Sequence, residues 1–212
     1  MQTLDPYDAS QVVLRYQKRI AEHGATFASL CSGSAEKQAI RHSVHASALR
    51  GINPSILGVG CGLGDFYKYL TDHGVDCSYS GYDIVPEYVE ECRRAFTQAT
   101  FHVRNIFADG IDGDYDSIVM SQVLNNRYQK SQNVEVMRQA LEIAFRHTHV
   151  SVSVDMLSSY VEFQNPEVFY YSPEEIFRAA KAIAQRVVIR HDYRGFEFCV
   201  QLFHESVDGY LK

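Results

Sequence analysis

Apolar residues return along this chain in two rhythms, and the rhythms alternate. Short apolar runs at 55–60, 77–83, 100–105, 116–121 and 148–154 read as strands. Between them, at 64–73, 86–97 and 132–146, apolar positions recur every three or four residues, the period of a helix with one buried face. Pro86 suits a first helical turn, where its missing N–H would be unpaired in any case. Upstream, the spacing predicts helices over 10–23 (Val12, Val13, Tyr16, Ile20) and 34–50 (Ile40, Val44, Leu49). Downstream, Ser172-Pro-Glu-Glu175 resembles a capping box opening a helix over 173–184. Strands over 186–192 and 196–204 then face each other across Tyr193-Arg-Gly195, a hairpin signal. There is no linker and no repeat. The alternation predicts one α/β domain over 1–212: a mostly parallel seven-stranded sheet with helices on both faces and an antiparallel C-terminal hairpin (51–212), preceded by a helical cap (1–50). Ligands of such sheets sit beyond the carboxyl ends of the strands.

The candidate chemistry lies at the first of those ends. Ser55-Ile-Leu-Gly-Val-Gly-Cys-Gly-Leu-Gly-Asp65 runs a strand into a turn carrying Gly60, Gly62 and Gly64, and Gly-Tyr-Asp83 closes the next strand. Glycines at alternate positions let the backbone bend tightly and approach a ligand that a Cβ would push away. Asp83 stands where a ribose hydroxyl pair would be held. A dinucleotide site expects G-x-G-x-x-G with its pyrophosphate on the helix N-terminus. Here the spacing is G-x-G-x-G, and the carboxylate of Asp65 would repel a diphosphate. A nucleoside cofactor without phosphate fits better.

This stretch resembles motif I of the class I S-adenosylmethionine-dependent methyltransferases, whose fold is Rossmann-like. The resemblance implies that Gly60, Cys61, Gly62 and Gly64 pass beneath the methionine and ribose. It implies that Asp83, with Ile84, grips the ribose, and that Asn105 and Ile106 flank the adenine. Tyr115-Asp-Ser-Ile-Val-Met-Ser-Gln-Val-Leu-Asn-Asn126 matches the fourth strand and its loop, placing Ser121 and Gln122 by the cofactor and Asn125 and Asn126 by an acceptor. Tyr170 and Tyr171, ahead of the capped helix, are candidates for a ring against the sulfonium. The cap offers Tyr16, Arg19 and Gln38 as pocket-facing groups and His23 as a general base. One position departs from the family pattern: its acid two before the first glycine, which helps hold the methionine ammonium, is Gly58 here. Asp65 or a loop carbonyl can take over that task. Alternatively the freed amine attacks its own Cγ and expels methylthioadenosine, as in the azetidine-2-carboxylate synthases. Replacing Gly58 by Asp should harm such a cyclase more than a methyltransferase.

Composition narrows the partners. The net charge is −6 with no Lys or Arg tract, which argues for a small polar substrate rather than nucleic acid. No apolar run has the ~20 residues of a membrane span, and the first residues lack the pattern of a signal peptide. Five cysteines form no C-x-x-C pair, so the expectation is reduced thiols in a cytoplasm and no metal. His42-x-x-His45 and the pair His147 and His149 read as ordinary structural histidines, and Asp112-Gly-Asp114 lacks the other ligands of a calcium loop. The readings in play are a methyltransferase, a cyclase and an inactive cofactor-binding domain. The chain is expected to be a monomer or homodimer.

Overall fold

The computed structural model describes residues 4–30 and 33–204; Cys31 lies outside them, and Cys61, Cys77, Cys92 and Cys199 are free thiols. Two helices lead, α1 (Pro6–His23) and α2 (Ala35–Ala46), with a single 3₁₀ turn (Phe27–Leu30) between them. The core then alternates through β1 (Ser55–Val59), α3 (Asp65–Asp72), β2 (Ser78–Asp83), α4 (Pro86–Ala95), β3 (Thr100–Val103), β4 (Tyr115–Met120), α5 (Asn133–Arg146), β5 (Thr148–Leu157), α6 (Pro173–Ile183), β6 (Arg186–Arg194) and β7 (Glu197–Phe203). The sheet order is β3-β2-β1-β4-β5-β7-β6. β7 alone runs antiparallel to its neighbours, as the C-terminal hairpin requires. The Rossmann-like α/β sheet expected from the sequence is the one observed.

Leu57, Val59, Ile118, Met120, Val152 and Val154 form one apolar layer with residues of α5 and α6. On the opposite face Ile56, Tyr79, Phe101 and Val119 pack with Phe66 and Leu70 of α3 and with Val89 and Cys92 of α4. Further along that second face the sheet turns polar. Ser153, Asp155, Cys199 and Gln201 are all buried there. α2 covers them: His45 Nδ1 lies 2.8 Å from Ser153 Oγ, and Gln201 Nε2 donates to the Val44 carbonyl.

Several boundaries differ from those predicted. α1 begins at Pro6, not residue 10, because Asp5 caps it with a carboxylate that accepts the Tyr7 N–H. α2 ends at Ala46, not residue 50, where the N–H groups of Ala48 and Leu49 turn back to residues three behind. β5 continues to Leu157 because β7 pairs with it through Leu157 and Glu197. The hairpin turn is Gly195-Phe196, with Tyr193 and Arg194 still in β6. Among the described residues no helix is long and apolar enough to cross a membrane.

Candidate functional site

At the carboxyl end of β1 the backbone enters the left-handed region three times, at Gly60 (φ 67°), Gly62 (54°) and Gly64 (77°). An L side chain would be strained at each, and packing forbids it as well. A Cβ on Gly60 would lie 2.5 Å from Val123 Cγ2, and one on Gly64 would lie 2.6 Å from Phe96 Cε2. Asp83, buried at the end of β2, accepts the N–H of Gly62 at 2.8 Å and that of Val85 at 2.9 Å. Burial raises its pKa to about 6 against those hydrogen bonds.

A cleft opens over this turn, lined among others by Gly60, Cys61, Gly62, Asp83, Ile84 and Asn105. Ile106, Ser121, Gln122 and Asn126 also face it, as do Tyr16 and Gln38 from the cap. α1 is fixed above the cleft by Asp8, whose buried carboxylate accepts the N–H groups of Gln129 (2.7 Å), Lys130 (3.0 Å) and Ser131 (2.6 Å) beyond β4. Gln38 Nε2 donates to Asp65 Oδ2 at 3.1 Å, and burial pushes the Asp65 pKa up.

Five sequence candidates stand elsewhere, and a sixth, Asn125, lines only an adjoining second cavity. Gly64 packs behind the turn against Phe96. Arg19 does not face the cleft; its guanidinium donates to the carbonyls of Ala28 and Ser29, holding the 3₁₀ turn. His23 is exposed on the last turn of α1, beside Glu22, and touches neither cavity, so it has no path to an acceptor. Tyr171 is fully buried behind the wall, its hydroxyl donating to the Leu124 carbonyl. Tyr170 Oη accepts the Asn165 N–H, outside the cleft. Asn125 is committed on both ends of its amide, Nδ2 to Gln122 Oε1 (2.8 Å) and Oδ1 to the Leu157 N–H (3.1 Å). It therefore positions Gln122. Asn105 does face the cleft, but its Oδ1 already accepts the Phe107 N–H at 3.0 Å.

Position 58 receives a physical explanation. A Cβ added to Gly58 would lie 2.0 Å from Tyr79 Oη and 2.9 Å from its Cζ. The phenol of Tyr79, on the neighbouring strand, thus fills the volume that an acid at 58 would occupy. Tyr79 lines the cleft, its Oη is buried without a hydrogen-bond partner, and burial drives its pKa well up. An aspartate at 58 therefore cannot be added unless Tyr79 yields. Tyr79 bears no motif, and only the paired absence of an acid at 58 could have signalled it.

A second cavity adjoins the first and shares Tyr16, Leu30, Gln122 and Asn126 with it. Its floor is charged. Arg41, 3% exposed, sits 3.2 Å from Glu197 and 3.9 Å from Asp155. His45 Nε2 lies 3.3 Å from Asp155. Burial opposes a charge on that imidazole, but the Asp155 carboxylate prevails and lifts its pKa to about 10. Asp155 also accepts the Gln122 N–H at 2.5 Å, holding Gln122 in a left-handed conformation (φ 59°) rare outside glycine. The neighbouring His42 faces the first cleft; burial, then the His45 charge, lowers its pKa to about 3, so it is neutral.

Residues 56–149 match a family described as a methyltransferase domain. Rv1506c of Mycobacterium tuberculosis, provisionally named a methyltransferase, is 28% identical over 154 residues, covering 69% of this chain and 90% of that protein. Among solved structures, a complex of DhpI with SAM and HEP superposes with a TM-score of 0.70 at 16% identity, over 94% of this chain and 99% of that one. The N-methyltransferase NodS from Bradyrhizobium japonicum, in complex with S-adenosylhomocysteine, gives 0.66 at 13% identity over 93% and 99%. Magnesium protoporphyrin IX methyltransferase from Synechocystis, with the same ligand, gives 0.62 at 13% identity over 93% and 96%. At these identities the structural likeness is one of fold.

Proposed function

We propose that this chain, whose residues 56–149 match a methyltransferase-domain family, is a class I S-adenosylmethionine-dependent methyltransferase that binds S-adenosylmethionine in the first cleft and methylates a small polar acceptor in the second. When bound, that cofactor supplies an already activated methyl group on a sulfonium. The protein's task is then to hold, align and exclude water. Asp83 accepts from the ribose hydroxyls and Ile84 packs on the nucleoside. Asp65 and the unpartnered hydroxyl of Tyr79, both lining the cleft, would hold the methionine ammonium in place of the acid absent at 58. Gln122 and Asn126, at the junction of the cavities, orient the acceptor.

The supporting observation is the bond from the Gly62 N–H to Asp83 at 2.8 Å, which welds the glycine turn to a buried carboxylate facing the cleft. The net charge of −6 and the concave shape of the two clefts favour a small molecule over nucleic acid or a membrane surface. Free thiols suit a cytoplasm, and the protein acts as a monomer or homodimer.

Chromatography of the purified protein with S-adenosylmethionine tests the reaction class. S-adenosylhomocysteine formed only when an acceptor is added supports methyl transfer. Methylthioadenosine released without any acceptor would assign the cyclase instead, and binding without turnover across an acceptor panel would assign an inactive domain.

A further inference from the structure

The second cavity carries a charge signature that narrows the acceptor. Four cations line it, Arg15 from α1, Lys37 and Arg41 from α2, and Arg194 from β6, against one lining carboxylate, Glu197. This concentration of positive charge stands out in a chain of net charge −6. Arg41 and Arg194 converge on Glu197, at 3.2 Å and 3.6 Å, and the other carboxylate near Arg41, Asp155 at 3.9 Å, is shared with His45. Arg15 is answered outside the cavity by Glu167 at 3.3 Å.

The unmet hydrogen bonds point the same way. The Arg194 side chain is 10% exposed and stacked on Phe196 at 4.3 Å, yet its buried Nη1 has no partner. Gln122 Nε2, at the junction with the first cavity, is likewise buried without one. Gln122 is oriented with its Oε1 toward Asn125, so the nitrogen is the end left over. Both unmet groups are N–H donors. A buried donor without an acceptor is destabilising, and an oxygen-rich ligand would relieve it. Guanidinium groups are suited to planar or tetrahedral oxyanions, which they bind through paired donors.

We propose that the second cavity is an acceptor subsite for a small organic acid, its carboxylate or phosphoryl oxyanion seated on Arg194 and Lys37 and its methyl-accepting atom turned toward Gln122 and Asn126. This rests on the methyltransferase reading and names its substrate class. The two cavities meet at Gln122, so an acid anchored at the far end presents its other end to the cofactor side.

Calorimetry on protein saturated with S-adenosylhomocysteine tests this separately from the cofactor. The probes are methylphosphonate, acetate and neutral acetamide. Either anion should bind and acetamide should not; the tighter anion assigns the acid class. Arg194→Gln should weaken the anion about tenfold or more, and exposed Lys37→Gln about threefold, with S-adenosylhomocysteine affinity unchanged. Lys37→Gln stands as the test if Arg194→Gln fails to fold. Anion heats that are absent, matched by acetamide, or indifferent to both substitutions would overturn the proposal while leaving cofactor binding standing. No heat with S-adenosylhomocysteine itself would overturn both.

Discussion

On one face of the sheet, the half built by β1 to β3 is apolar: Ile56, Tyr79 and Phe101 pack against α3 and α4. The other half of that face, on β5 and β7, carries Ser153, Asp155, Cys199 and Gln201 beneath α2. Strand register places these residues in one continuous layer, since Val119 is level with Ser153 and Ser153 with Gln201. The first half needs only shape, and it holds the proposed cofactor cleft. The second half is held by specific pairs, and through Asp155 it fixes Arg41 and Gln122, which line the proposed acceptor cavity. A polar layer can be specific for an acceptor because each of its groups demands a partner; by the same logic it is easily broken.

The largest expected effect follows from that fragility. Asp155→Ala leaves the His45 charge buried without its carboxylate and Arg41 with Glu197 alone, and should cost about 3–5 kcal/mol in urea unfolding. Ile56→Val, in the apolar half, should cost about 1 kcal/mol. Equal costs would erase the distinction between the halves. The pH dependence has a definite sign. The folded pKa of His45, about 10, stands above its ordinary 6.5. Its stabilisation is therefore complete below 6.5 and is lost as the pH rises through 10. Thermal melts of the native protein and of His45→Gln should converge over that window.

Next in size is the tail anchor. Tyr79→Phe removes one hydrogen bond to an ammonium, worth roughly 1.5–3 kcal/mol, and should weaken S-adenosylhomocysteine at least tenfold. Methylthioadenosine, which lacks the amino-acid tail, should bind both proteins alike. Gly58→Asp alone should lose stability through its clash with Tyr79, and adding Tyr79→Ala should relieve that clash and restore tail affinity. Uniform weakening of both ligands would refute the anchoring role.

The smallest effect concerns Asp83. Its pKa of about 6 means that the carboxylate takes up a proton below that pH and loses acceptor capacity. S-adenosylhomocysteine affinity should therefore fall about tenfold between pH 7 and pH 5, with proton release on binding. A flat affinity profile would remove Asp83 from the ribose contact.

The same contrast explains what the sequence disclosed. The glycine turn and Asp83 are local, so motif spacing reveals them, and the apolar rhythm of the strands reveals the sheet. Ser151, Ser153 and Asp155 of β5 carry no local signal of a polar layer, because their partners Ala48 and His45 lie more than a hundred positions earlier. His45 looked like an ordinary helix histidine for that reason. Arg41 and Glu197, 156 positions apart, share no local signal at all. Tyr170 and Tyr171 misled in the opposite direction. Their polar groups serve the protein's own backbone, which residue type cannot disclose.

Titration of the purified protein with S-adenosylhomocysteine, alongside its Asp83→Ala variant, bears most directly on the cofactor cleft. Saturable heat at a single site, lost in the variant while its fold persists by circular dichroism, is the expected result. Absence of heat in the native protein, or undiminished binding in a folded Asp83→Ala, would contradict it.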